Sequence, residues 1–148
     1  MKKNLALGTL VWLLALSGQA IAGANTAQLN CTGNHAGQAL TLAGDVPASI
    51  VEVDLKLSYR GQTLRLVSPQ ADTSESTDFR RGIFRMEAVL SGSNKLQLQA
   101  EPKSIKYKGS MGAGKLNASF VAILKSAPEP FNSSLKGAEL SCTYAYEI

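Results

Sequence analysis

Hydrophobic and polar residues alternate with a period of two along most of this chain of 148 residues. The clearest example is a series of apolar residues separated by single polar ones: Val51, Val53, Leu55, Leu57 and Tyr59. Because successive side chains of a β-strand point to opposite faces, this series predicts a half-buried strand. Arg60 and Gly61 predict a tight turn, after which residues 62–67 alternate again. The pattern therefore predicts a β-hairpin over residues 50–67.

The same alternation recurs in further segments separated by turn-forming residues: 29–31, 40–42, 84–90, 96–100, 105–107, 116–124 and 140–146. Gly44 is expected to end the segment at 40–42. After residue 22 the chain shows no strong helical period, and short strands at this spacing are typical of sandwiches and barrels. We therefore expect an all-β fold, a single-domain antiparallel β-sandwich or small barrel of about eight strands.

Two segments lack the alternation and are predicted to be loops. Residues 68–78 contain a single apolar residue, Ala71, so we expect this segment to be exposed and mobile. Residues 125–137 contain two prolines and one aromatic residue, Phe131.

The N-terminus has the features of a secretory signal peptide, in the usual order. Lys2 and Lys3 precede an apolar run over residues 5–16, and residues 20–22 form an A-x-A cleavage site before Gly23. The run is too short for a transmembrane helix, which needs about 20 apolar residues. We predict that residues 1–22 are removed and that the protein is secreted or periplasmic, with a signal of the bacterial type and no transmembrane segment after cleavage.

Two cysteines remain in residues 23–148, which are expected to form one β domain. Cys31 lies in the first predicted strand and Cys142 in the last. In an oxidising compartment such a pair is expected to form a disulfide. The bond would join the N- and C-terminal strands and close a loop of about 110 residues. The remaining chain is long enough to bury a substantial core, so the bond would reinforce that core rather than replace it.

Positive charge is concentrated between residues 80 and 115, where eight basic residues stand against two acidic ones. Alternation in this block predicts that Phe84 and Met86 point inward on one strand, and that Ile105 and Tyr107 point inward on another. The charged neighbours of these residues are then expected to point outward.

If the strands of this block pair in sequence, the strand at 95–100 lies between the other two. Arg81, Arg85, Lys106 and Lys108 would then share one exposed face, which would attract polyanions. We therefore name these four residues as a candidate anion-binding site. The competing interpretation is a solvated face whose lysines protect the sheet from aggregation.

Few residues are available for catalysis. His35 is the single histidine, so a triad with a second base or a histidine-rich metal site cannot form. Residues 109–115 fit the phosphate-binding pattern G-x-x-x-x-G-K, but Leu116 follows where that motif needs Ser or Thr, and the next segment is a predicted strand rather than a helix. Residues 133–136 fit S-x-x-K without the motifs that accompany it in serine acyl-enzymes. We expect no catalytic residues, no cofactor and no metal.

These observations predict a non-catalytic binding or interaction module, exported to the bacterial periplasm or envelope. Its partner could be an anionic glycan, a lipid surface or an envelope protein, and we expect no nucleic-acid partner. One alternative is a carrier of a small apolar ligand, with a cavity inside a barrel. Another is a hydrolase whose site the sequence does not reveal. Aromatic residues make up only 6% of the chain, which argues mildly against a carbohydrate platform of stacked rings.

Overall fold

A computed structural model of the protein describes residues 26–47 and 53–148, which form ten antiparallel strands. The strands are β1 (Thr26–His35), β2 (Gln38–Pro47), β3 (Asp54–Tyr59), β4 (Gln62–Val67), β5 (Asp72–Asp78), β6 (Ile83–Ser91), β7 (Asn94–Ala100), β8 (Lys106–Ser110), β9 (Lys115–Ser126) and β10 (Glu139–Glu147). The all-β prediction is confirmed. Among the described residues only short 3-10 turns are helical, and none could cross a membrane as a helix. The predicted signal peptide over residues 1–22 lies outside the described residues.

The strands form one curled sheet in the order β4-β3-β2-β1-β10-β9-β7-β6-β5. The eighth strand, β8, pairs with β9 beside β7. Residues of β5 contact residues of β2 although these strands are far apart in the sheet order. The sheet therefore curls round until its β5 end approaches β2, and its concave face encloses the core. The predicted hairpin is present as β3 and β4, with Arg60 and Gly61 between them. Residues 50–52 of that prediction lie outside the described residues.

Alternating apolar residues of the strands fill this core, as the sequence predicts. Phe84 and Met86 are both buried. The core contains an aromatic cluster, in which Phe84 packs against Phe120 with 4.8 Å between ring centroids. The Tyr144 ring packs edge-on against Phe79 at 5.3 Å and against Phe84 at 5.8 Å. The rings thus join β6, β9, β10 and the turn after β5.

The predicted disulfide is confirmed. Cys31 on β1 lies directly opposite Cys142 on β10, and the two Cα atoms are 4.0 Å apart. Both cysteines are buried. The bond therefore joins the first and last strands at the middle of the sheet.

The prediction of an exposed, mobile loop over residues 68–78 is wrong. Most of this segment is β5, which pairs with β6 along its whole length. Its inward positions are the polar residues Thr73, Glu75 and Thr77, and Thr73 is buried. Hydrogen bonds between the two backbones do not require apolar side chains, so a polar segment can form an edge strand when its neighbour is in place.

Residues 125–137 are irregular beyond the end of β9, as predicted, and they cover part of the core. Phe131 and Leu135 are buried. The Phe131 ring packs edge-on against Tyr59, with 6.4 Å between centroids. Leu135 N–H donates to the Phe131 carbonyl oxygen at 3.1 Å, so a local turn holds both side chains inward.

Gly44 does not end its strand, because β2 continues through it to Pro47. Its φ is +140°, and a Cβ atom at this position would lie 2.0 Å from the carbonyl oxygen of Asp54 on β3. Glycine lets the backbones of β2 and β3 approach closely at this point.

We predict that Gly44→Ala lowers the free energy of unfolding by about 2 kcal/mol, because strain and a backbone clash combine. Gly37→Ala is the matched control, since Gly37 also has a positive φ but no atom lies within 4 Å of its added Cβ. Urea unfolding of both variants measures the difference. Equal losses of stability would show that the close approach of β2 and β3 costs nothing extra.

Candidate binding surfaces

The predicted pairing within the basic block is partly wrong. As predicted, β6 pairs with β7, but β7 then pairs with β9 rather than with β8. The residues after β7 form a 3-10 turn over Pro102–Ser104, and the Ser104 hydroxyl oxygen accepts a hydrogen bond from Val121 N–H at 2.8 Å. β8 then pairs with the first half of the long strand β9. β7 and β8 therefore follow one another along the same edge of β9.

The structure separates the four predicted anion-binding residues into three places. Lys106 and Lys108 lie together on the outward face of β8, and both are exposed. Arg85 points outward from β6. Arg81 belongs to the 3-10 turn after β5, where its guanidinium lies 3.6 Å from the Asp78 carboxylate.

Lys106 and Lys108 line an open depression of about 510 Å³ on the outer surface of β8, β9 and β10. The outward side chains that surround them are small or neutral: Asn117, Ser119, Thr143 and Ala145. No acidic residue lines this depression, and neither lysine forms an ion pair with another described residue. By contrast, Lys115 lies 3.2 Å from the Glu147 carboxylate. We call this depression, with its two lysines, the lysine surface.

Arg85 lines a second outer groove of about 420 Å³. Its outward side chains are hydroxyl, amide and charged groups: Ser74, Ser76, Glu87, Gln97, Gln99 and Lys125. Hydrogen bonds from Lys95 and Gln97 hold the pKa of Glu87 below its usual value. The charge of Glu87 is therefore balanced by Lys95, whereas Arg85 and Lys125 have no ion-pair partner among the described residues.

A third depression, of about 450 Å³, opens between β8 and the 3-10 turn Phe79–Arg81 that follows β5. Half of the residues that line it are apolar or aromatic: Phe79, Tyr107, Met111 and Leu116. Thr77, Arg80 and Ser110 add polar groups, and Arg80 is its one cation. We call this depression the β8 cleft.

A largely buried carboxyl group, that of Glu75, lies on the inward face of β5. Thr77 donates its hydroxyl hydrogen to Oε1 of Glu75. Oε2 of Glu75, the Tyr144 hydroxyl and the Thr73 hydroxyl are buried without a hydrogen bond among the described residues.

Burial raises the pKa of Glu75 to about 7, against the opposing effect of the hydrogen bond from the Thr77 hydroxyl. Burial, together with the nearby Glu75 carboxylate, also raises the pKa of Tyr144. Below about pH 7 a neutral carboxyl group and a neutral phenol therefore lie near one another in the core.

The burial of Glu75 was not predicted from the sequence. Its strand carries serine, threonine or an acidic residue at every position, and no hydrophobic period distinguishes the inward face from the outward one. The inward direction of Tyr144, in contrast, could be predicted, because it lies two and four positions after Cys142 and Leu140 and so shares their face of the strand.

Among residues 26–47 and 53–148, no group of three or more histidine, cysteine, aspartate or glutamate side chains could hold a metal ion. Comparisons with protein-family models, with curated proteins and with solved structures found no match.

Proposed function

We propose that this protein is an exported, non-catalytic binding module of the bacterial periplasm or envelope, and that the lysine surface binds an anionic glycan. One observation carries the proposal: two outward lysines without ion-pair partners stand beside hydroxyl and amide side chains, and no acidic residue lines the depression. Ammonium groups attract carboxylate or sulfate, while Asn117, Ser119 and Thr143 can hydrogen-bond to sugar hydroxyls.

The elements beneath the lysine surface favour binding with little reorganisation. Thr143 directly follows Cys142, which the disulfide holds against β1. The central strand β9 is hydrogen-bonded on both edges along most of its length. A surface that is already ordered loses less conformational entropy when it binds a ligand.

Export rests on two supports. The residue order at the N-terminus is typical of a secretory signal peptide. Disulfides persist mainly in oxidising compartments such as the periplasm and the extracellular space, and the structure contains one.

The first test compares two double variants with the same loss of charge. We predict that Lys106→Gln/Lys108→Gln lowers the affinity for a heparin-derived oligosaccharide about tenfold or more, because each charge-assisted contact is worth about 1.5–3 kcal/mol. Lys56→Gln/Lys136→Gln, which changes two exposed lysines elsewhere, is expected to change it little. Isothermal titration calorimetry at low and high salt measures both, and wild-type binding should weaken as salt rises.

An equal loss of affinity in both variants would show that binding depends on the overall charge of the protein and not on the lysine surface, and it would overturn the proposal. Absence of heparin binding would overturn it too. Tighter binding to anionic vesicles than to heparin, lost in the Lys106/Lys108 variant, would assign the surface to lipid instead.

The outward face of β9 connects the lysine surface with the Arg85 groove. Asn117 borders the first and Lys125 the second. Asn117 and Lys125 are eight positions apart along β9, which in an extended strand corresponds to about 27 Å.

We predict that a glycan longer than about 30 Å, enough to cover that span, contacts both places. Arg85→Gln should therefore weaken the binding of such a chain several-fold and leave a heparin disaccharide unaffected. Titrating both ligands into the same variant checks this. An equal effect on the two ligands would show that the Arg85 groove is not an extension of the glycan site.

A further inference from the structure

The β8 cleft exists because β8 has a strand on only one side. One edge of β8 pairs with β9, and no pairing is made by its other edge among the described residues. Across the cleft from that edge lies the 3-10 turn Phe79–Arg81, which follows β5. The preceding strand β7 is paired with β6, but the turn Pro102–Ser104 ends that arrangement before β8 begins.

Aromatic and apolar side chains form the cleft wall. Phe79 and Leu116 are almost completely buried, whereas Tyr107 keeps 46% of its surface exposed. Tyr107 lies opposite the buried Ala118 in the strand register, so it is on the inward face of the sheet at a place where no strand covers it. Its ring stacks on Phe79 with 6.4 Å between centroids. The aromatic cluster of the core therefore continues to the surface through this cleft.

Arg80 supplies positive charge at the same cleft. Its side chain is exposed and lines the cleft, and it has no ion-pair partner among the described residues. The next residue, Arg81, points to Asp78 instead. No acidic residue lines the cleft. Its chemistry is therefore an apolar wall with a single unneutralised guanidinium.

We propose that the β8 cleft binds a small amphipathic anion, a medium-chain aliphatic carboxylate, whose chain packs on Phe79, Tyr107 and Met111 and whose headgroup meets Arg80. The cleft volume of about 450 Å³ lies within the range of small-molecule sites. A guanidinium presents two parallel N–H donors that match the two oxygens of a carboxylate. Burying the exposed part of Tyr107 under the chain removes apolar surface from water, which favours binding.

The test uses dodecanoate as the probe, below the concentration at which it forms micelles, with dodecanol as the uncharged analogue. We expect dodecanoate to bind about tenfold more tightly than dodecanol, since a hydrogen bond to a charged group contributes that much or more. Arg80→Gln should bring dodecanoate down to the affinity of dodecanol. The matched control, Arg81→Gln, should leave the difference intact because Arg81 points to Asp78.

Met111→Gln tests the apolar wall and is expected to weaken both probes. Met111 is only half-buried, so this variant is expected to fold, and its circular dichroism spectrum and melting temperature verify that it does. Lys106→Gln/Lys108→Gln should keep its affinity for dodecanoate, which separates this site from the lysine surface.

Several outcomes would overturn the proposal. One is that wild-type protein does not bind dodecanoate, and another is that Arg80→Gln and Arg81→Gln reduce its affinity equally. Unchanged binding in a folded Met111→Gln protein would place the ligand outside the cleft.

Discussion

Replacing both Cys31 and Cys142 with alanine is expected to lower the free energy of unfolding by about 4–5 kcal/mol, the chain-entropy value for a cross-link between residues 111 apart. The physical reason lies mainly in the unfolded chain, which gains freedom when the link between its ends is lost. In the folded state β1 and β10 remain hydrogen-bonded neighbours without the disulfide. Urea unfolding of the variant and of the oxidised wild-type protein measures the loss.

Wild-type protein unfolded in the presence of a reductant is the control for this prediction. Because it also lacks the cross-link, it should unfold at nearly the same urea concentration as the alanine variant. A stability loss below about 2 kcal/mol, the lower end of what a native disulfide contributes, would contradict the chain-entropy explanation.

The second large effect is a fall in stability as the pH rises, caused by Glu75. Burial raises its pKa from 4.5 to about 7, so the folded protein holds this proton more tightly than the unfolded chain does. The stabilising contribution is complete below pH 4.5 and is lost as the pH rises through 7. At about 1.4 kcal/mol for each unit of pKa difference, the loss amounts to about 3 kcal/mol.

Two other carboxyl groups act in the opposite direction at lower pH. A hydrogen bond from Arg65 lowers the pKa of Asp54, and hydrogen bonds from Lys95 and Gln97 lower that of Glu87. Their contributions are present above the usual pKa of a carboxyl group and are lost as the pH falls. We therefore expect greatest stability near the usual carboxyl pKa, below neutrality.

Glu75→Gln isolates the effect of the buried carboxyl group. The amide keeps an acceptor for the Thr77 hydroxyl and gains a donor beside Tyr144, but it carries no charge. The variant should therefore be more stable than wild type at pH 8 by up to about 3 kcal/mol, and its stability should be nearly independent of pH between 5 and 8. Urea unfolding at a series of pH values measures this.

Asp72→Asn is the matched control, because Asp72 lies on the same strand with its side chain exposed. It should keep the wild-type slope of stability against pH. A wild-type slope that persists in Glu75→Gln would assign the pH dependence to another group.

Local periodicity carried much of the fold prediction. The hairpin of β3 and β4 follows from strict alternation on both sides of Arg60 and Gly61, and the buried Phe84 and Met86 follow from the same rule. The disulfide also followed from the sequence, because the two cysteines lie in the first and last predicted strands of a chain with a predicted signal peptide, and neither has another cysteine to pair with. In each case a short pattern or a small inventory of residues was enough.

The lysine surface could be predicted only in part, because local alternation does not show which strands pair. Alternation gives the direction of a side chain within its own strand, and Lys106 and Lys108 are exposed together as expected. It does not give the neighbouring strand. Because β8 pairs with β9, its lysines are separated from Arg85 on β6 and from Arg81 in the turn after β5. The four residues therefore do not form the single face that was predicted.

The sequence by itself determined the all-β fold class, the inward sides of the apolar strands and the cysteine pair. The first two depend on the local alternation of apolar and polar residues, and the third on there being two cysteines in the chain. Tertiary structure alone decided that the polar segment of β5 is a strand and that Glu75 is buried. It also decided that β8 leaves the cleft beside Arg80 open. These features depend on which backbone edges meet when the sheet curls. Hydrogen bonds between backbones hold those edges together, and the side-chain sequence of a strand therefore says little about which strand it pairs with.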